Sequence, residues 1–251
     1  MTHDANASIP LAAKIFDKLT AGAALPTPLP PDAFPMFQAW FDEAGRAKQQ
    51  PNPSAFSLAT VDPDGRPSNR IVLCRGIDVA AGTIRFFTNY KGRKGRAITA
   101  NPRVAACFHW DHLDKQVRIE GMAIRTTPEE SDEYFASRPW DNRVGSWASD
   151  QSEPIADRTQ LFAKAMEVLK QHGVGIADLA LKGNSVHIPR PPHWGGFRIW
   201  VDRLEVWLGS SARFHDRAVW TRDLTLSEPP SDANPRPGVS ATAWTSTRLQ
   251  P

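Results

Sequence analysis

Ala55-Phe56-Ser57-Leu58-Ala59-Thr60-Val61, then Asp62-Pro63-Asp64-Gly65, then Ser68-Asn69-Arg70-Ile71-Val72-Leu73-Cys74-Arg75 is the run whose reading decides the architecture. The first part alternates and is rich in strand formers. The second is a turn, because proline presets φ and glycine accepts the positive φ that closes it. The third returns as a strand over 68–75, so the run predicts an antiparallel hairpin with a short loop. Arg70 and Arg75, five apart on one strand, are expected on opposite faces.

Working outward, the pattern repeats. A third strand is expected over 83–88, after the turn around Ala80-Ala81-Gly82. Residues 93–100 read as a short helix stopped by Asn101-Pro102, and 104–110 with 116–125 as a second antiparallel pair joined through Asp111-His112-Leu113-Asp114. Thr127-Pro128-Glu129-Glu130 is a capping box that starts a helix reaching about Ser137, before Pro139. Residues 155–171 have helical periodicity, and Pro189-Arg190-Pro191-Pro192 turns the chain back into strands over 196–208 and 213–221. The stretch 223–241, rich in Pro, Ser, Asp and Gly, reads as a surface loop, and 243–249 as the strand that closes the sheet. Toward the N-terminus, Phe34, Phe37, Trp40 and Phe41 recur at helical spacing over 33–48, until Pro51 and Pro53. Residues 1–32 read as a loosely ordered arm with one short helix near 11–19.

Many antiparallel strands with a few inserted helices make this a mainly β, α+β chain built on a β-barrel. No G-x-G-x-x-G turn joins a strand to a helix, which argues against a doubly wound dinucleotide-binding fold. The 251 residues suffice for one large domain. No run of about eighteen apolar residues exists, and the first residues lack the basic start and apolar stretch of a secretory signal. A soluble, cytoplasmic protein is expected. Two cysteines, Cys74 and Cys107, read as buried free thiols. Lys and Arg number 30 against 27 Asp and Glu, too even a balance to argue for nucleic acid.

Four segments concentrate anion-binding and ring-stacking groups. They are 70–75, 87–94, 147–152 and 207–217. Lys91, Arg93, Lys94 and Arg96 crowd beside Gly92 and Gly95; such a cluster can hold a phosphate, although basic runs are more often solvated faces. Taken singly, Trp147 and Trp207 read as core residues, His215 as a structural histidine and Asp216 as an arginine's partner. His109 and His112 lack the carboxylate or thiol partners of a metal site, and no metal is expected.

The segments taken together change the reading. Arg70-Ile71-Val72-Leu73, Phe87-Thr88-Asn89, Arg93-Lys94-Gly95, Asn101-Pro102-Arg103, Gln116-Val117-Arg118, Tyr134-Phe135-Ala136-Ser137-Arg138-Pro139, Gly145-Ser146-Trp147-Ala148-Ser149-Asp150-Gln151-Ser152, Pro192-His193-Trp194-Gly195-Gly196-Phe197-Arg198 and His215-Asp216-Arg217, with the ending Arg248-Leu249-Gln250-Pro251, run in one order. In order and spacing they resemble the pyridoxamine 5′-phosphate oxidase family, over about residues 29–222 and the final strand.

The resemblance implies an antiparallel split β-barrel of the FMN-binding type over 33–251, with a C-terminal dimerisation region over about 194–251. It implies a homodimer with FMN in clefts at the subunit interface. The implied FMN contacts are Arg70, Ile71, Val72, Leu73, Phe87, Thr88, Arg93, Lys94, Gln116, Gln151, Ser152, Trp207 and Arg217. The implied substrate contacts are Arg75, Tyr134, Arg138 and Asn142, with Arg213 and His215 beside the substrate ring as catalytic residues. Arg213 and His215 are expected to alternate on a strand and point the same way. Tyr134 and Arg138 are expected to share a helix face. The implied reaction oxidises pyridoxamine or pyridoxine 5′-phosphate to pyridoxal 5′-phosphate, with dioxygen going to hydrogen peroxide; no nucleic acid or membrane partner is implied. The chain departs from the family's usual residues at Arg75, where lysine is usual, and at Asn142, where serine is usual. Two further readings share the architecture: a paralogous flavin oxidase acting on a substrate such as a phenazine precursor, and a non-catalytic flavin- or haem-binding protein.

Overall fold

The computed structural model describes residues 23–210, 214–231 and 233–251. In chain order the elements are α1 (Phe34–Ala47), β1 (Ala55–Val61), β2 (Pro67–Leu73), β3 (Ile77–Asp78), β4 (Thr83–Asn89), α2 (Arg93–Ala100), β5 (Arg103–Trp110) and β6 (Lys115–Arg125). They continue as α3 (Pro128–Ala136), α4 (Trp140–Ala148), α5 (Arg158–Gln171), α6 (Ile176–Lys182), β7 (Trp194–Leu208), β8 (Asp216–Thr221), β9 (Leu224–Leu226), β10 (Val239–Ala241) and β11 (Thr245–Leu249).

The main sheet is antiparallel throughout and runs β11-β8-β7-β6-β5-β1-β2. The fifteen-residue β7 organises it. Along one edge β7 pairs with β6 for nearly its whole length. Its other edge is divided: the first half pairs with β4, from Asn89↔Trp194 to Thr83↔Trp200, and the second half with β8, from Arg203↔Thr221 to Leu208↔Asp216. β4 also touches β2, which curls the sheet on itself and leaves the barrel split where β4 gives way to β8. A bulge at Glu120/Gly121 lets β6 follow this bend. A Cβ at Gly121 would overlap the Trp200 carbonyl, so the close approach of the two strands there requires glycine.

Side chains alternate between a filled interior and an outer face. Phe56, Leu58, Phe86, Phe108, Val117, Ile119, Phe197, Leu204 and Val206 fill the barrel. α1 closes one side of it, with the Phe37 ring 5.2 Å from Phe108. A second, smaller core of Val144, Ala148, Val168, Leu169, Val186 and Ile188 holds α4 and α5 together.

Several expectations need correction. The second strand spans Pro67–Leu73, so Arg75 lies beyond it; its N–H donates to the Arg85 carbonyl at 2.7 Å, and the opposite-face argument for Arg70 and Arg75 no longer applies. β3, α4 and α6 were not anticipated. The 155–171 helix begins at Arg158, because the Asp157 carboxylate caps it through the Gln160 N–H. The stretch 223–241 is not wholly loop, since β9 and β10 pair within it. Cys74 is buried, but Cys107 is only half-buried. The expected helix near 11–19 lies outside the described residues. From Leu25 the supposed arm is docked: its N–H donates to Asp216, Arg248 donates to the Leu25 and Pro26 carbonyls, and Trp220 Nε1 donates to the Pro30 carbonyl at 2.8 Å. Among the described residues no helix is long and apolar enough to cross a membrane.

Candidate functional site

A cavity of about 520 Å³ opens where β4, α3 and α4 meet. β4 supplies Phe87, Thr88 and Asn89, and Leu73 enters from the end of β2. Arg75 follows from the next loop, and Tyr134, Arg138, Asn142, Ser146, Gln151 and Trp194 complete the lining, with Asp141 at the rim of α4. Eight of the expected site residues therefore share one cavity: Leu73, Phe87, Thr88 and Gln151 from the flavin set, and Arg75, Tyr134, Arg138 and Asn142 from the substrate set.

Aromatic rings form one wall. Phe87 stacks on Tyr134 at 4.0 Å and on Trp194 at 5.6 Å. Arg138 is positioned differently than expected. α3 ends at Ala136, ahead of Pro139, so Arg138 sits past the helix. It reaches the same cavity nonetheless, with its guanidinium 4.7 Å from the Trp194 ring and Nη1 donating to Ser146 Oγ at 2.7 Å. Arg75 lies 6.0 Å from the Tyr134 ring. Burial is the main influence holding Arg138 below the usual arginine range, and the Arg75 charge acts in the same direction. Among the described residues neither arginine forms a salt bridge. Two such cations facing one cavity suit a doubly charged anion.

A second cationic cluster adjoins it. Lys94 Nζ donates to Gln151 Oε1 at 2.6 Å and to Thr88 Oγ1 at 3.0 Å. Burial first, and then the Arg70 charge, push its pKa down to about 8. Arg70 donates to Thr60 Oγ1, Ser68 Oγ and the Leu58 carbonyl, and burial lowers its pKa too. A Cβ at Gly92 would stand 2.7 Å from Gln151 Oε1, so glycine there lets Gln151 reach the lysine. The Arg93 N–H donates to Ser152 Oγ at 3.2 Å, and Ser152 itself holds φ at +75°, an uncommon backbone state for a serine. The Arg93 guanidinium instead grips Asp62 Oδ2 through Nε at 2.9 Å and Nη2 at 2.6 Å. Arg96 pairs with Glu153 and is a plain surface cation. Ile71, 66% exposed on the edge strand β2, and the half-buried Val72 flank this cluster.

The remaining expected residues lie elsewhere. Gln116 pairs with Trp207, and Trp207 with Arg217, so the three stand side by side on the outer face of β6, β7 and β8. The His215 ring is 4.7 Å from Trp207, and its Nδ1 accepts the Ser210 N–H at 3.2 Å, which leaves the proton of the neutral ring on Nε2. His215 is not on a strand, because β8 starts at Asp216, and Ser210 Oγ donates to the Phe214 carbonyl. His215 therefore does not take the strand position expected of it. Arg213 lies outside the described residues. Gly196, opposite Phe87, and Trp207 are eleven positions apart on β7, roughly 35–37 Å along the strand at the usual rise. The expected residues thus fall into two groups that one chain holds apart. Among the described residues, no three His, Cys, Asp or Glu side chains are grouped as a metal would need.

Residues 43–172 match the family described as pyridoxamine 5′-phosphate oxidase, and residues 194–251 match the pyridoxine 5′-phosphate oxidase C-terminal dimerisation region. The chain belongs to the pyridoxamine 5′-phosphate oxidase family. Pyridoxine/pyridoxamine 5′-phosphate oxidases similar to it include one from Chromobacterium violaceum, 47% identical over 76% of this chain and 83% of that protein, and one from Burkholderia multivorans, 45% identical over 88% and 90%. Among solved structures, PhzG from Burkholderia lata 383, in complex with tetrahydrophenazine-1-carboxylic acid, superposes with a TM-score of 0.71 at 29% identity, over 88% of this chain and 94% of that one. A pyridoxamine 5′-phosphate oxidase-related, FMN binding protein from Nostoc punctiforme shares the fold, with a TM-score of 0.58 at 16% identity over 86% and 96%. The cavity of this pyridoxamine 5′-phosphate oxidase family member also takes in residues not among the expected contacts, including Asn89, Asp141, Ser146 and Trp194. Asn89, Ser146 and Trp194 each had a signal, since they lie inside the blocks 87–89, 145–152 and 192–198, whereas Asp141 lies outside every block.

Proposed function

We propose that the protein is an FMN-dependent oxidase that converts pyridoxamine 5′-phosphate or pyridoxine 5′-phosphate to pyridoxal 5′-phosphate. The donor set fits a phosphorylated flavin. Lys94 and Arg70 are neighbouring cations that, among the described residues, form no salt bridge, and burial beside another cation lowers the Lys94 pKa. Arg93 and Ser152 adjoin them. The outer-face group of Gln116, Trp207 and Arg217 supplies an amide, a ring and a cation. In a homodimer the outer-face group of one subunit meets the cavity of the other, which explains why one chain separates them so widely.

FMN would supply the hydride acceptor and pass the electrons to dioxygen, giving hydrogen peroxide. The chain's own side chains bind and orient. Arg75 and Arg138 hold the substrate phosphate, with Tyr134 and Asn142 beside them. Phe87, Tyr134 and Trp194 form an apolar wall that excludes water. His215, with Arg213 two residues before it in the chain, holds the vitamin ring so that the carbon losing hydride faces the flavin.

The single observation that carries the substrate reading is the pair Arg75 and Arg138 in one cavity. A second reading, oxidation of a reduced phenazine carboxylic acid, is favoured by the 29% identity and 0.71 TM-score to PhzG. Acid release and identification of the flavin, followed by peroxide assays, separates the two. The expected result is FMN, with peroxide formed from pyridoxine 5′-phosphate and none from unphosphorylated pyridoxine. Peroxide from tetrahydrophenazine-1-carboxylic acid but not from the phosphorylated vitamers would overturn it.

A further inference from the structure

We propose that Glu205 is a positioning residue for the flavin site, holding Arg217 in place from behind. The proposal rests on the FMN reading above. Glu205 stands on the outer face of β7, in step with Arg203 and Trp207, while its neighbours Leu204 and Val206 point into the barrel. A carboxylate on an outer sheet face is ordinarily solvated. This one is 4% exposed, because arginines cover it. Burying a charge is costly unless it is paired, and the pairing here is unequal. Oε1 takes Arg217 Nη2 at 2.7 Å. Oε2 takes Arg118 Nη1 at 3.3 Å and lies 3.6 Å from Arg203 Nη2. Arg118 and Arg203 have a second acid, Glu120, at 3.9 and 3.5 Å. Arg217 has no other carboxylate among the described residues.

The opposite side of Arg217 is held as well. Its Nη1 donates to the Gln250 carbonyl at 3.0 Å, near the end of the chain. The guanidinium is thus fixed between β7 and the C-terminal segment, beside Trp207, its direct cross-strand partner. A cation fixed in this way loses little freedom when it meets an anionic or polar ligand edge, and that preorganisation appears as affinity. Three arginines against Glu205 and Glu120 also leave one positive charge on this face. Neutralising Glu205 raises that excess, yet frees the one guanidinium that the site uses, so the two effects oppose each other and the geometric one is expected to dominate.

A double-mutant cycle on the purified full-length chain, stripped of flavin, tests this. FMN affinity is read by fluorescence quenching for wild type, Glu205→Gln, Arg217→Met and the double variant, with circular dichroism and thermal melting as checks of folding. Glu205→Gln is expected to weaken FMN binding roughly ten- to a hundredfold, the scale typical of residues that orient a ligand-binding group. In the Arg217→Met background the same change is expected to alter affinity by less than about twofold, since the group it positions is gone. Equal losses in both backgrounds, or no loss in the wild-type background, overturns the proposal. Should Glu205→Gln fail to fold, Glu205→Asp carries the same cycle, because it keeps the charge but withdraws it from Arg217 by one methylene. Wild-type protein that binds no FMN overturns the flavin reading and this inference with it, whereas wild-type binding with an additive cycle overturns the inference alone.

Discussion

Lys94 shows how much of the site is set by single side chains and their depth. Its amine is held by two neutral acceptors, with Arg70 close by, and its pKa falls to about 8 from an ordinary 10.5. The sign follows directly. Below about 8 the folded chain bears the full penalty of a buried charge, and the penalty fades as pH rises toward 10.5, so this group alone makes the flavin-free protein more stable with rising pH over that interval. Phosphate binding has the opposite slope, because it needs the protonated amine. FMN affinity is expected to be flat below about pH 8 and to fall above it, approaching tenfold per pH unit while one proton must be taken up. Lys94→Arg is expected to remove that step, and titrations of the flavin-free protein from about pH 6.5 to about pH 9.5 check it. At this scale the sequence was most legible where motif and geometry coincide, as at Phe87, Thr88, Tyr134 and Gln151. It was least legible where a residue's role depends on a distant partner. Nothing local to Asp62 announces that it grips Arg93, and nothing around Glu205 announces three arginines.

Among elements, α4 decides the shape of the cavity and was missed. Its signal was present: Trp140, Val144, Trp147 and Ala148 recur at helical spacing, but Pro139 and Gly145 interrupt the local propensity. Tertiary contacts hold the helix. Arg143, buried on α4, donates through Nη1 to the Val186 carbonyl at 2.9 Å and through Nη2 to the Asn184 carbonyl at 2.6 Å. Arg143→Met keeps much of the volume and removes both bonds. It is expected to cost about 2–4 kcal/mol, seen as a melting temperature lower by roughly 5–12 °C. Because Asn142 and Ser146 ride on the same helix, the KM for the phosphorylated vitamer is expected to rise as well; an unchanged KM and melting temperature would remove Arg143 from this role. Most strands, by contrast, lie within about two residues of their expected bounds, although β8 starts only at Asp216. β1 and α2 have the expected bounds, since alternation and the proline and glycine punctuation are local signals. The errors fall where pairing is set from afar: β3 is two residues long, and β9 and β10 find each other across a Pro-rich stretch.

For the whole molecule, the central claim is that two half-sites far apart on one chain make one active site across a dimer. The division of β7 between β4 and β8 sets that separation; the motif resemblance implies clefts at the subunit interface, but the order of motifs along the chain does not say which strand holds the two groups apart. Subunit complementation measures the claim directly. One chain carries Arg75→Ala with Arg138→Ala, and the other carries Trp207→Ala with Arg217→Met; each alone is expected to be nearly inactive in the peroxide assay. Co-expressed, half of randomly formed dimers are hybrids, each with one intact site, so recovery of about a quarter of wild-type activity is expected. Activity no greater than the sum of the two separate variants would contradict the account.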